Sequence, residues 1–558
     1  MAESFIEKIY LGSLDKGALR FMEKRRRDDR VNNLVDRYAA MLGRFQVDSI
    51  EREERIPPEM LEQMKSIGLF GVSIPTTYGG MGLDVREQMK FVEEMTKLDI
   101  SLALTSIAHC AIGVMAILLF GSEDQKRRYL PAAAAGKMIF SYALTEPRIG
   151  SDARHIETRA DLSEDGSAYI LNGHKSFITN ANYAGGLTVF AQMDPVRPGY
   201  MGAFIVETGW DGVRTGRDMP KMGLKASSTA SVQFKNVRVP VTHLLGPPGA
   251  GFRIAMTVLN YGRLALGAAS VGMMKRSLED MLKRSSSRIQ FQVPIKEFPL
   301  VQEKMVKAGV YSRIGAAMNE LTAGLLMDNP FVPAAIETSH CKLFGTTRAW
   351  EAVYDALQVA GGSGYLTTQP YEKRMRDFRV TTVFEGTTEI HSIYPALTAA
   401  KKISEELSGS GTTLTSRVAR ALRLFFGRID WPLRFEIKGM REASRLALAN
   451  AKSIRRMLLL GLLFYRKDMA GKEFLLRRIT HLSLYMFGLL SMLAKMEADR
   501  HTTGVSEEDL NVLAYFVEEA REVRKVSRSL FGGRKETLAA VIFKDIDASG
   551  KESHGSVL

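Results

Sequence analysis

The hydrophobic period of this chain changes twice, and that change limits its fold more than any single residue does. Apolar residues first recur at helical spacing, as in Val92–Leu98 and Ile107–Phe120, where Gly121 gives a stop signal. Leu69–Gly80, with Pro75 and paired glycines, reads as a loop within that block. Between about 139 and 248 the text breaks into short runs: Tyr169–Leu171, Leu187–Phe190, Ala203–Val206 and Val232–Phe234. Turn signals separate them, among them Asp165-Gly166, Asn172-Gly173 and Gly185-Gly186, as in a barrel or sandwich of strands. From Gly251 to about Lys402 the helical period returns. Strands set between helical blocks predict a mainly helical α+β chain. The expected divisions are an N-terminal arm (1–45), a helical domain (46–138), a β-domain (139–248), a second helical domain (249–403), an additional basic helical domain (404–546) and a disordered tail (547–558).

A chain of 558 residues exceeds one compact core, so several domains are required. The net charge of +14, from 76 Lys and Arg against 62 Asp and Glu, favours a polyanionic partner: nucleic acid, an anionic membrane or a phosphate-bearing ligand. Lys24–Arg27 form one basic cluster in the arm. In the last block Leu414, Val418, Leu422, Phe425 and Phe426 form an apolar stripe, and Arg441, Arg445, Lys452, Arg455 and Arg456 a basic face. That block reads equally as a surface for an anionic membrane or as a self-packed bundle with a solvated rim. Cys110 and Cys341 each follow a histidine, without the spacing of a metal site, and no disulfide is expected. The opening residues carry acidic groups and no apolar core of a secretory signal. The apolar run Met457–Tyr465 falls short of the roughly 20 residues of a membrane span. The expected location is the cytoplasm, with the inner membrane surface as a docking site.

Four segments carry chemistry, and each also has a plain structural reading. Tyr142–Asp152 (YALTEPRIGSD) leaves a strand for a loop rich in hydroxyl and backbone donors, suited to phosphate or to an ordinary turn. In Asn172–Asn180 (NGHKSFITN), Phe177 and Thr179 alternate onto one strand face, an aromatic plane beside a hydroxyl, or a half-buried strand and no more. Gln358–Gly364 (QVAGGSG) permits close backbone approach to a nucleotide, or simply caps a helix. In Phe384–Glu389 (FEGTTE), after a strand-like run Val380–Val383, a carboxylate lies between apolar residues. Desolvation there would raise its pKa toward that of a base for a weak carbon acid. Equally, Thr387 or Thr388 could cap the next helix.

In order and separation these segments resemble the acyl-CoA dehydrogenase family, strongly over about 50–400. Leu119–Pro131, Lys221–Gly223, Leu259–Arg263 (LNYGR) and Arg288–Phe291 (RIQF) add to the resemblance. The arm and last block resemble very-long-chain members more weakly. The resemblance implies an N-terminal helical domain, a central β-barrel and a C-terminal four-helix domain, with an additional C-terminal helical domain. It further implies FAD-dependent α,β-dehydrogenation of a long-chain fatty acyl-CoA to the trans-2-enoyl-CoA, the first step of β-oxidation. Glu385 matches the α-proton acceptor. A minority of the family carries the base on the helix before the arginine, which here reads Asn260-Tyr261-Gly262-Arg263 without a carboxylate, so Glu385 has no competitor there. The family's hydride acceptor is flavin N5, and the thioester carbonyl is polarised by a flavin ribityl hydroxyl and the N–H of the base.

Tyr142, Leu144, Thr145, Gly150 and Ser151 are implied to touch FAD, with Phe177, Ile178 and Thr179 beside its ring. Arg288, Gln290, Phe291, Gln302, Gln358, Gly361 and Gly362 are implied to reach FAD held by a neighbouring subunit, and Thr387 and Glu389 to complete the site. Ser151, Asn260, Arg263 and Gly386 are implied at the acyl-CoA, with Leu104 and Ala108 at the pocket floor. A homodimer or dimer of dimers and an electron-transferring flavoprotein as partner follow. Departures are Arg148 and Ile149 in place of small residues, Phe177 in place of tryptophan, and Gln292 in place of glycine. Two alternatives are an acyl-CoA oxidase and an alkylation-response flavoprotein that binds DNA through a basic C-terminal region. The retained base argues against the second.

Overall fold

The computed structural model describes residues 3–19, 29–45, 47–409 and 413–555; the cluster Lys24–Arg27 lies outside them. The chain forms two compact units. One runs from Ala18 to Thr388, and the other joins Glu3–Gly17 to the chain from Glu389 onward. The stretch read as one arm is therefore divided. Helix Phe5–Leu11 belongs to the second unit, where Phe5, Ile6, Ile9 and Tyr10 are buried, while Asp29–Leu42 packs in the first on helix Val85–Leu98. An apolar face, not chain order, decides where each piece goes.

In the first unit, local capping starts the helices that support the site. Asp84 accepts from the N–H groups of Arg86 and Glu87 while Glu87 reaches back, a capping box that opens Val85–Leu98. Asp99 accepts from the N–H of Leu102 and opens Ile100–Ala108. That helix runs into a π-turn, His109–Gly113, before Met115–Phe120 resumes and ends at Gly121. Turns of this kind insert an extra residue and re-aim the side chains that follow.

Seven strands then form one mixed sheet: β1 Ile139–Ala143, β2 Arg159–Leu162, β3 Ala168–Thr179, β4 Ala184–Gln192, β5 Met201–Glu207, β6 Val213–Thr215 and β7 Thr229–Pro240. Their order is β1-β4-β2-β3-β7-β6, with β5 paired to β4. β1 runs parallel to β4, whereas β3 and β7 are antiparallel. Alternating inward residues such as Leu171, Val189, Phe204, Val206, Val232 and Val237 make its core. The β3–β7 register shifts between Lys175 and Ile178, where Phe177 has φ 57°. A bulge at that point leaves the Phe177 ring outward and Ile178 in the core.

Beyond the sheet, helices Gly251–Ser287, Pro299–Asp328 and Ala335–Ala360 pack on one another, and the first two also on Val85–Leu98. The 37-residue helix Gly251–Ser287 is the axis of this layer. Gly272 lets it touch Val85–Leu98 at backbone distance, since an added Cβ would fall 2.1 Å from the Glu93 carbonyl oxygen.

The second unit holds helices Leu414–Phe426, Lys438–Tyr465, Glu473–Arg500, Glu507–Ser527 and Arg534–Gly555. Its core includes Leu476, Ile479, Met486, Phe487 and Phe516. Leu414–Phe426 buries none of its residues; Leu414 is 78% and Phe426 73% exposed. In the basic face, Arg455 is buried and donates to the Gly427 carbonyl. Helix Arg534–Gly555 continues through position 547, where a disordered tail was expected; positions 556–558 lie outside the described residues. Leu538, Ile542 and Ile546, spaced one turn apart, give the helix an apolar face before position 547, and the polar stretch prolongs it.

The longest unbroken apolar run understates the apolar helices. Ile100–Phe120, Gly251–Ser287 and Glu473–Arg500 are long and apolar enough to cross a bilayer, but 78%, 83% and 89% of their most apolar stretches are buried within the protein. Polar residues such as Ser101, Thr105, Ser106 and His109 interrupt the run while the mean hydropathy stays high, which is why counting unbroken residues missed them.

Two glycine substitutions should act oppositely. Gly272→Ala has no room and should destabilise by about 1–3 kcal/mol. Gly309→Ala, whose nearest neighbour would be Leu278 at 3.7 Å, should stabilise by about 0.5–1 kcal/mol. Urea unfolding of the two variants beside wild type measures both signs.

Candidate active site

Helix Pro370–Arg379 ends in a tight turn, Val380–Thr382, and not in the expected strand. The N–H groups of Val383 and Phe384 both turn back to the Val380 carbonyl, leaving no strand ladder to join. A four-residue β-branched run cannot tell strand from turn, and here the preceding helix decides. The chain then passes through two left-handed residues, Glu385 at φ 58° and Gly386 at φ 96°, before helix Thr388–Leu407 begins. The Thr388 hydroxyl donates to the Thr382 carbonyl at 3.3 Å, tying the start of that helix back to the turn.

This conformation turns the Glu385 side chain inward. The residue as a whole is partly exposed, yet its Oε2 is buried. Burial pushes the carboxyl up to about 7, against the opposing pull of Arg263 and then Lys342. Gly262 makes the room: a Cβ there would lie 3.1 Å from Glu385 Oε2 and 2.8 Å from Ile112 Cγ2. The long helix thus presents bare backbone to the carboxylate, with Arg263 next along and buried beside Asn260. The π-turn delivers Ile112 to the same spot. On β1, Tyr142 donates to the Ala255 carbonyl at 3.2 Å, and burial and the nearby Glu385 charge raise its pKa. Leu104 is half-buried and Ala108 buried on the helix that enters the π-turn.

The loop after β1 is held from beneath by a buried ion pair. Lys175 on β3 is wholly buried, and its Nζ donates to Glu146 Oε1 at 2.7 Å and to the Leu144 carbonyl at 3.1 Å. Burial lowers the Lys175 ammonium to about 8 while Glu146 supports it. Burial also raises Glu146, but Lys175 and the N–H groups of Glu157 and Thr158 outweigh it and keep its pKa low. The Ser176 N–H binds the Thr145 carbonyl at 2.9 Å, setting the loop beside Phe177. The Phe177 ring is 64% exposed, Ile178 is in the core and Thr179 is half-buried. Gly150 and Ser151 are exposed, and nothing lies within 4 Å of an added Gly150 Cβ.

A second group lies elsewhere. Arg288 ends the long helix, and Ile289–Gln290 pairs with Val293–Pro294 in a two-strand hairpin. Phe291 and Gln292 at its tip both have positive φ, and Phe291 is 89% exposed. Gly361 does cap helix Ala335–Ala360, and Arg284, in the last turn of the long helix just before the hairpin, ties that end to it by donating to the Ala360 carbonyl at 3.2 Å. Arg288, Gln290, Gln302, Gln358, Gly361 and Gly362 are all exposed. Arg263 and Arg288 stand 25 positions apart on one continuous helix, a separation of roughly 37 Å. The fold therefore brings the hairpin and glycine cluster together but keeps both away from Glu385. Thr387 is half-buried beside the turn, and Glu389 is exposed in the second unit.

Sequence reasoning missed Lys342, the Lys175–Glu146 pair and Ile112. Lys342 sits among polar neighbours such as Ser339, His340, Thr346 and Thr347, so no local signal set it apart, and nothing in the sequence marked the π-turn. Among the described residues no group of three His, Cys, Asp or Glu side chains could hold a metal.

Three family profiles match the chain in order: the acyl-CoA dehydrogenase N-terminal domain (27–137), middle domain (141–237) and C-terminal domain (249–394). The very long-chain specific acyl-CoA dehydrogenase of Bos taurus is 32% identical over 527 residues, covering 90% of this chain and 80% of that protein. The crystal structure of an acyl-CoA dehydrogenase complexed with FAD from Bacillus anthracis superposes with a TM-score of 0.78 at 27% identity, covering 94% of both chains. Butyryl-CoA dehydrogenase from Megasphaera elsdenii gives 0.60 at 29% identity, over 71% of this chain and 99% of that one.

Stability should report the buried carboxyl. The group ionises near 4.5 in the unfolded chain and near 7 in the folded one, so the folded state holds the proton more tightly. Raising the pH between those values favours unfolding at this group. Wild type should lose stability relative to Glu385→Gln across that window, with a constant gap above it and none below. Urea unfolding of both proteins at a series of pH values reads this directly.

Proposed function

Since the chain belongs to the acyl-CoA dehydrogenase family, we propose that it converts long-chain fatty acyl-CoA to the trans-2-enoyl-CoA with Glu385 as the base. The observation that carries this reading is the carboxylate held out of water against the side-chain-free face at Gly262. A carboxyl raised to about 7 is matched to accepting a proton near neutral pH. The residues after β1 and at the β3 bulge fit a flavin: an outward aromatic ring at Phe177 lies beside the Thr145 loop, and Gly150 leaves its backbone bare. Tyr142, Leu144, Thr145, Gly150 and Ser151 would hold FAD, with Phe177, Ile178 and Thr179 at its ring. FAD, when bound, supplies the two-electron acceptor for the β-hydrogen.

Glu385 takes the α-proton, and the electron pair of that C–H bond becomes the new C=C bond as the β-hydrogen leaves with its own pair. The N–H of Glu385 is the chain's donor to the thioester carbonyl, aimed at the oxygen on which charge develops. Arg263 and Lys342 keep the carboxylate ionised before it takes the proton. Tyr142 and Ile112 wall the spot against water. Small Ala108 supports room for a long acyl chain, as does similarity to very-long-chain enzymes.

The roughly 37 Å along the helix between Arg263 and Arg288 supports a homodimer, or a dimer of dimers, in which the hairpin and Gly361–Gly362 meet FAD of the neighbouring subunit. An electron-transferring flavoprotein is the proposed acceptor of the electrons. Leu414–Phe426, apolar on one exposed face with Arg417, Arg420 and Arg423 along it, supports a peripheral site on the anionic inner membrane surface. The cytoplasm is the proposed compartment.

Anaerobic titration with acyl-CoAs of increasing length should bleach the flavin of wild type. Glu385→Gln should retain FAD and bleach at least about 100-fold more slowly; bleaching at the wild-type rate would refute the base. In co-sedimentation with anionic vesicles, Leu422→Asp with Phe426→Asp should abolish binding, and full binding by that double variant would remove the membrane site.

A further inference from the structure

Lys342 is wholly buried in the first third of helix Ala335–Ala360, and its Nζ donates to the Gly386 carbonyl at 2.6 Å. That carbonyl belongs to the second of the two left-handed residues that aim the base. A non-glycine residue such as Glu385 keeps that conformation only where its surroundings over-determine it. The Thr388 hydroxyl ties the turn to the Thr382 carbonyl on one side, and Lys342 holds it from the opposite element. An ammonium is expensive to bury. A methionine would fill similar space without that cost, but it could neither donate to Gly386 nor place a charge beside Glu385.

We propose that Lys342 is a positioning residue for the dehydrogenation: its ammonium fixes the Glu385–Gly386 turn, and its charge keeps the base ionised until the α-proton arrives. The inference rests on the reading of Glu385 as that base. Within the first unit, the titratable and charged groups facing Glu385 are Arg263 on the long helix, Lys342 on Ala335–Ala360 and Tyr142 on β1. Lys342 donates directly to the backbone of the turn that carries the carboxylate. Lys342 therefore supplies charge and geometry together.

The test uses full-length, FAD-loaded protein reduced anaerobically by hexadecanoyl-CoA from pH 5.5 to 9, following the flavin absorbance. Lys342→Met should keep its FAD and its KM, while the limiting rate falls about tenfold or more. The pH at which the rate is half-maximal should rise by about one to three units, as expected when an opposite charge is removed from a carboxylate. Lys342→Arg should return that midpoint toward wild type. Lys342→Gln, with a donor but no charge, should show the raised midpoint with a smaller loss of rate, and it carries the test if the methionine variant does not fold. An unmoved midpoint in both uncharged variants overturns the inference, as does an equal loss in Lys342→Met and Lys342→Arg, which would mean packing alone. Should wild type itself go unreduced, or Glu385→Gln be reduced normally, the base reading falls and the inference with it. Normal wild type, inactive Glu385→Gln and unaffected Lys342 variants would overturn the inference alone.

Discussion

The structure is organised around one costly placement, a carboxylate turned into the protein against a helix backbone. Water would solvate that charge far better than the site does, so the surroundings have to make up the difference. They do so in part with Arg263 and Lys342, and the remaining deficit appears as a pKa near 7. A carboxyl fully compensated by cations would be a weak base; one left uncompensated would stay protonated. The intermediate value is what proton abstraction near neutral pH demands.

Several features far apart in sequence exist to make that placement possible. Gly262 removes a side chain from the long helix, the π-turn at His109–Gly113 sends Ile112 to the same spot, and two left-handed residues reverse the chain at Glu385. The loop after β1 is fixed by a buried pair, Lys175 with Glu146. Removing either partner would strand a charge in the interior, so the loop's position is specified even where its outer residues, Gly150 and Ser151, touch little.

The second unit follows a different logic. Its inner helices bury a core of their own, whereas Leu414–Phe426 turns apolar residues outward. An isolated 13-residue helix of that kind gains little from propensity alone. Its contacts with helix Lys438–Tyr465 therefore have to hold it in place.

Much of this was legible in the chain itself. The alternation of helical and strand periods marked the sheet domain, and the ordered motifs marked the family, because both depend on local spacing. Glu385 stood out as a carboxylate among apolar neighbours. Val380–Val383 misled, since four β-branched or apolar residues suit a strand and a tight turn alike, and only the helix before them selects the turn. Phe5–Leu11 could not be assigned to the distant C-terminal unit, because its burial depends on partners hundreds of residues away. Lys342 and Ile112 were invisible as site residues for the same reason. The sequence alone determined which residue types were available and in what local conformations. Tertiary packing decided which charges share one low-dielectric space, and pKa values depend on through-space distance, which sequence separation does not encode.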